Sequence, residues 1–140
     1  NYNNKSRSGT CYILRKGKGR EIIHDINNSI LIDGKTHEEI AKIFNETEVF
    51  ISYDTYTMFS VYAAMCGCIS VVIPLDNVSK EEWLPDPVTR YGIAYGFDNI
   101  DESIKTQIKL TEKINNEELK TSNQIKHLVS ESIHVFGIKK

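Results

Sequence analysis

Two clusters of polar residues stand out from apolar surroundings, and both suit an anionic or sugar-like ligand. One interrupts the apolar stretch between Phe50 and Pro74: Ser52, Thr55 and Thr57 offer hydroxyls, Asp54 a carboxylate, and Tyr53 and Tyr56 phenols. Such groups beside the free N–H groups of a helix start suit a phosphate or the hydroxyls of a sugar. The other is the run Arg15, Lys16, Lys18 and Arg20, interleaved with Gly17 and Gly19, a compact set of cations. Each has a plain structural alternative, the basic run as a solvated turn and Asp54 as a loop or cap residue. Metal chemistry is not expected. Cys11, Cys66 and Cys68 are odd in number, and His24, His37, His127 and His134 show no ligand-like pairing with them. The cysteines read as small buried packing residues.

The elements that must position these clusters follow from periodicity and punctuation. Residues 48–52 read as a buried strand, 57–66 as a nearly all-apolar helix stopped by Gly67, and 69–73 as another buried strand. A strand that feeds a helix and returns to a parallel strand leaves the intervening loop at the carboxyl edge of the sheet, where open α/β proteins bind ligands. Upstream, residues 10–14 and 29–33 read as strands, the second ended by Gly34. Thr36 and Glu39 form a capping box ahead of the apolar stripe Ile40, Ala41, Ile43 and Phe44. After Pro74, residues 79–82 suit one helical turn beside Trp83, which with Pro85 and Pro87 suits either the wall of a sugar pocket or, more simply, the anchor of a long loop, and 91–96 suit a short fifth strand. The remainder is helical, with a sparse face at Ile104, Ile108 and Ile114 and a stronger one at Leu119, Ile125, Leu128, Val129, Ile133 and Phe136. This alternation predicts the α/β class: a Rossmann-like open parallel sheet of about five strands with helices on both faces.

With 140 residues the chain has the size of one domain. Residues 1–9 read as a polar linker or N-terminal extension and 10–140 as the domain; an opening Asn1 in place of Met suggests a piece of a longer or processed protein. A net charge of -2 gives no general attraction to nucleic acid. No apolar run reaches the roughly 20 residues that span a bilayer, and no signal-peptide pattern opens the chain. Cysteine usage favours a reducing, cytoplasmic setting.

The chain resembles the carboxyl-terminal, donor-binding domain of GT-B glycosyltransferases. The resemblance is carried by Ile30, Leu31, Ile32, Asp33 and Gly34, by the helix from Thr36 to Phe44, by Glu48, Val49, Phe50, Ile51 and Ser52, and by Asp54 through Val72, with Ala63, Ala64 and Gly67 leading into Ser70, Val71 and Val72. These follow the order of the family's Ser-x-x-Glu-Gly-Phe, Glu-Ala and Gly-x-Pro-Val-Val pattern over about the middle third of the chain. The resemblance implies half of a GT-B fold, a nucleotide-diphosphate sugar as donor with no further cofactor or metal, and a role in surface polysaccharide or lipopolysaccharide biosynthesis. It implies an N-terminal acceptor-binding domain of the same protein as partner, which would also supply the catalytic base. It implies a cytoplasmic place, peripheral to the inner membrane through the full-length protein.

Residue by residue, the family's first carboxylate falls on Asp54, beside donor sugar and phosphates. The second, which accepts from ribose hydroxyls, falls on Tyr62, and a phenol cannot hold two hydroxyls as a carboxylate does. Arg15, Lys16 and Lys18 stand where the family neutralises the diphosphate, and Gly34 where backbone approaches the base. With Thr55 and Thr57 from the polar loop, these make up the candidate donor-binding set. Rival readings are a non-catalytic Rossmann-like binding or interaction domain and half of a GT-B-like sugar-nucleotide epimerase. A phospho-receiver domain fails, because Arg15 and Lys16 stand where its acidic pair belongs.

Overall fold

The computed structural model describes residues 6–136, with side chains described through residue 128. Residues 1–5 of the expected extension and the side chains of Val129, Ile133 and Phe136 lie outside the described residues. Five parallel strands form one sheet in the order β2-β1-β3-β4-β5: β1 Thr10–Ile13, β2 Ser29–Leu31, β3 Val49–Ser52, β4 Ile69–Val72 and β5 Ile93–Tyr95. Every pairing is parallel, with Cys11 opposite both Ile30 and Phe50, and Ile51 opposite Val71. The central strands are buried on both faces, which is why they read as continuous apolar runs rather than alternating ones.

Helices α1 (His37–Glu46) and α2 (Phe59–Cys66) cover one face. There Ile40 and Phe44 of α1 and Ala63 and Cys66 of α2 pack on Cys11, Ile13, Phe50 and Cys68. Thr36 starts α1 with a complete capping box, its hydroxyl accepting from Glu39 N–H at 3.2 Å while the Glu39 carboxylate accepts from Thr36 N–H at 2.8 Å. α2 is apolar on all sides, and Gly67 ends it in the left-handed conformation (φ +100°) that a side chain would disfavour. The opposite face gathers Tyr12, Ile51, Tyr53, Val71 and Ala94, with Ile100 from the first turn of α4 (Ile100–Phe136) packed against them.

Strands β1, β3 and β4 end or begin one residue inside the expected bounds and β5 is trimmed to three residues, while three differences bear on the site or the helices. Strand β2 stops at Leu31 because Asp33 turns back to bond the chain after β1. Helix α2 begins two residues late. In the loop before it, Tyr56 N–H is taken by the Asp54 carboxylate (3.2 Å) and Phe59 N–H by the Thr57 hydroxyl (3.3 Å), local bonds that compete with the helical ladder. The two apolar faces read after β5 belong to one continuous helix, α4.

Arg7, inside the segment read as an extension, is part of the fold. Its guanidinium donates to the carbonyls of Phe44 (2.5 Å), Thr47 (3.1 Å) and Cys66, the closing turns of α1 and α2. The chain divides into two units between Leu110 and Thr111, so that α4 begins in the first and makes up the described residues of the second. In the second unit Leu119, Ile125 and Leu128 are exposed. No helix among the described residues is long and apolar enough to cross a membrane.

Candidate functional site

The strand order reverses direction at β1. The chain leaves β1 for β2 on one side and reaches β3 on the other, so the connections after β1 and β3 diverge at the carboxyl edge and open a crevice. A cleft of about 420 Å³ lies there, lined by Arg15 and Lys16 from the β1 connection and by Asp54, Tyr56, Thr57, Met58 and Phe59 from the β3 connection. The walls thus join residues from both polar clusters of the sequence.

The β1 connection, residues 14–28, holds two short 3-10 turns, Arg15–Gly17 and Ile26–Asn28, where a crossover helix commonly stands. What replaces the helix is a set of polar clamps. Arg20 extends over the strand ends and donates to the carbonyls of Tyr53 (2.7 Å), Ile73 (3.2 Å) and Pro74 (2.5 Å). Those carbonyls lie just past the ends of strands β3 and β4, beyond the ladder, so the guanidinium closes them with charge-assisted bonds. Tyr53, buried at the start of the polar loop, accepts from Ile23 N–H at 3.0 Å and shares a 2.7 Å bond with His24 Nδ1. Gly17 lies so close to Tyr53 that a Cβ would stand 2.2 Å from its carbonyl oxygen.

Asp33 sets the start of this connection. Its carboxylate accepts from Leu14 N–H and Arg15 N–H, each at 2.9 Å. Arg15 meanwhile adopts a positive φ of 39°, which is uncommon for a residue with a side chain. Together these aim the Arg15 guanidinium across the crevice, 5.1 Å from the centre of the Phe59 ring, and His37 stacks on that ring at 6.3 Å. The two backbone amides after β1 are therefore occupied by a carboxylate of the protein itself. In the cleft the side chains of Arg15 and Lys16 and the Thr57 hydroxyl are donors suited to an anion.

On the β3 side, Asp54 is buried, with Oδ1 accepting from Tyr56 N–H, while the Ser52 hydroxyl donates to Asp54 O at 2.5 Å. Trp83, on the single-turn helix α3 (Lys80–Trp83), anchors the loop by donating its indole N–H to Thr55 O at 2.7 Å. Its ring stacks on Tyr95 at 4.7 Å and is itself buried.

Of the candidate donor-binding residues, Arg15, Lys16, Asp54 and Thr57 share the cleft. The other four stand outside its lining. Lys18 is exposed beyond the first 3-10 turn. Gly34 occupies a turn after β2 at φ +77°, where open space surrounds it. Thr55 contributes its carbonyl to Trp83 rather than a side chain to the cleft, and Tyr62 is 43% exposed on α2 with its ring edge against Phe59. Sequence reasoning gives Asp33 no site role and names Tyr56 in the polar loop without placing it in the donor-binding set; the one signal for Asp33 is a carboxylate at the end of a strand beside a glycine turn.

Burial perturbs groups away from the cleft. It lowers the pKa of His24 below its ordinary value, with Asp25 opposing the shift, and pushes the Cys11 thiol up to about 12. Among the described residues no group of three or more His, Cys, Asp or Glu is placed to hold a metal ion.

The fold and crevice define an open parallel α/β protein with a polar, cation-bearing cleft at its switch point. No family model matches the chain, and no curated protein or solved structure matches it.

Proposed function

We propose that this domain binds the diphosphate of a nucleotide-sugar donor in the β1/β3 crevice, as the donor-binding half of a GT-B glycosyltransferase acting in surface polysaccharide or lipopolysaccharide biosynthesis. The observation that carries the reading is the meeting of Arg15 and Lys16 with Asp54 and Thr57 across the switch point, in a cleft of about 420 Å³. Ligand pockets commonly measure about 300 to 1,000 Å³, so the space suits a nucleotide diphosphate.

The residue types suit the chemistry. Glycosyl transfer builds negative charge on a leaving diphosphate, and fixed cations stabilise that charge without a metal. Arg15 and Lys16 supply two positive charges, and the Thr57 hydroxyl a neutral donor. Asp54 would repel phosphate at contact distance but accepts hydrogen bonds from ligand hydroxyls, which orders the ligand: phosphates towards Arg15 and Lys16, hydroxyls towards Asp54. The acceptor and the catalytic base come, in this reading, from a second domain, and the work takes place in the cytoplasm.

Calorimetric titration with a panel of nucleotides and nucleotide sugars tests the proposal. A nucleoside diphosphate or its sugar binds, and Arg15→Ala weakens it by about 1.5 to 3 kcal/mol, the range for a lost hydrogen bond to a charged group, or roughly 10- to 150-fold. The 140-residue chain transfers no sugar at a useful rate, since it positions one reactant only. Absence of binding by every nucleotide would favour a non-catalytic domain, and efficient transfer by this chain alone would show that the acceptor site lies within it.

A further inference from the structure

We propose that Tyr56 is the stacking platform for the nucleobase of the ligand, so that the cleft recognises a nucleotide rather than a bare diphosphate or a sugar phosphate. The proposal rests on the reading that Arg15 and Lys16 hold the ligand's phosphates.

Tyr56 lines the same cleft as those cations, yet its side chain is 62% exposed. The ring is nonetheless tied to the fixed part of the fold. Its backbone N–H donates to Asp54 Oδ1 at 3.2 Å, and its hydroxyl reaches Trp83 O with a long contact of 3.4 Å. The carbonyl just before it, Thr55 O, accepts from the Trp83 indole at 2.7 Å, and Trp83 is buried against Tyr95. An aromatic ring anchored at its backbone and its tip, with most of its surface in water, contributes little to the core. It is already ordered for a planar partner, which lowers the entropic cost of stacking one there.

The neighbouring side chains fit the same use. Met58, 59% exposed, continues an apolar lip along the cleft. Phe59 faces the Arg15 guanidinium and the His37 ring, so it serves to place the cation. The cleft thus has a charged part at Arg15 and Lys16 and an aromatic part at Tyr56, the two surfaces that a nucleotide, whose phosphates and base are joined through a ribose, requires. Any base presents a flat face, so stacking alone gives affinity with little choice among bases.

The test compares inorganic pyrophosphate with adenosine and uridine diphosphates, titrated calorimetrically into the wild-type chain, Tyr56→Ala, Tyr56→Leu and Tyr56→Phe. Wild type binds the nucleoside diphosphates more tightly than pyrophosphate. Tyr56→Ala weakens the nucleoside diphosphates about tenfold and leaves pyrophosphate unchanged, as loss of one base–aromatic stack requires. Tyr56→Phe, which keeps the ring and loses only the hydroxyl contact, stays close to wild type, and Tyr56→Leu, apolar without an aromatic face, weakens the nucleoside diphosphates as alanine does and serves if the alanine variant fails to fold. Pyrophosphate bound as tightly as the nucleotides, or weakened equally by Tyr56→Ala, overturns the stacking proposal while leaving the phosphate site standing. Failure of wild type to bind any of the three compounds removes the phosphate site, and this inference with it.

Discussion

Replacing Gly17 by alanine is a demanding test of how the crevice is built, because the added methyl group has nowhere to go. Its carbon would stand 2.2 Å from Tyr53 O, 2.5 Å from Tyr53 C and 2.7 Å from Tyr53 Cβ. Ordinary carbon–oxygen contact needs more than 3 Å, so the backbones must separate by about 1 Å; no flexible side-chain end can give way instead. Overpacking of this kind costs about 1 to 3 kcal/mol, and the upper end applies because the obstacle is main chain. Moving Tyr53 also strains what converges on it: the Arg20 guanidinium on its carbonyl and the Ile23 amide and His24 ring on its hydroxyl. With a urea dependence of about 2 kcal/mol per molar, a loss of about 3 kcal/mol lowers the unfolding midpoint by ~1.5 M. Urea titration followed by circular dichroism measures this shift, and a midpoint unchanged for Gly17→Ala would refute the packing of the β1 connection against Tyr53.

Two further outcomes follow from burial. The pKa of His24 lies below the ordinary 6.5 in the folded protein, so the folded state binds fewer protons than the unfolded state between the two values; stability is full above about pH 6.5 and is lost as pH falls through the folded value. NMR titration of His24 checks the midpoint, and unfolding free energies of wild type and His24→Phe across that interval check the linkage, with the variant showing the flatter dependence; a His24 midpoint at or above 6.5 contradicts it. The Cys11 thiol, pushed up to about 12 by burial, leaves almost no thiolate at about pH 8.5, so iodoacetamide modifies Cys11 only after denaturation. Peptide mass spectrometry of native and urea-unfolded samples reads this out, and rapid native labelling of Cys11 contradicts it.

What the sequence discloses depends on the range of the interaction concerned. Helix α1 is legible because its start is a local device, the Thr36 and Glu39 box, followed by a stripe at helical spacing. The parallel sheet is legible because strands buried on both faces must be apolar throughout. The start of α2 is not, since Asp54 and Thr57 capture amides that periodicity alone assigns to the helix. In the cleft, residue type identifies a basic cluster but cannot divide it. Arg20 goes to strand-end carbonyls, Arg15 into the crevice, and Lys18 to solvent, a division set by one 3-10 turn, the positive φ of Arg15 and the carboxylate of Asp33. Asp33 shows in the sequence only as a carboxylate beside a glycine turn, and its role does not, because its partners, the amides after β1, come near only once β2 has paired beside β1.

The most direct test of the central claim is where a ligand binds. Two-dimensional amide NMR of the labelled chain, titrated with uridine diphosphate, reports on each backbone position separately. Binding in the crevice places the largest shift changes at Arg15 and Lys16 and from Asp54 to Phe59, the two connections that wall it, and Arg15→Ala diminishes them. Largest changes elsewhere, for example beside Arg90 and Tyr91 near β5, or none at millimolar ligand, would contradict it.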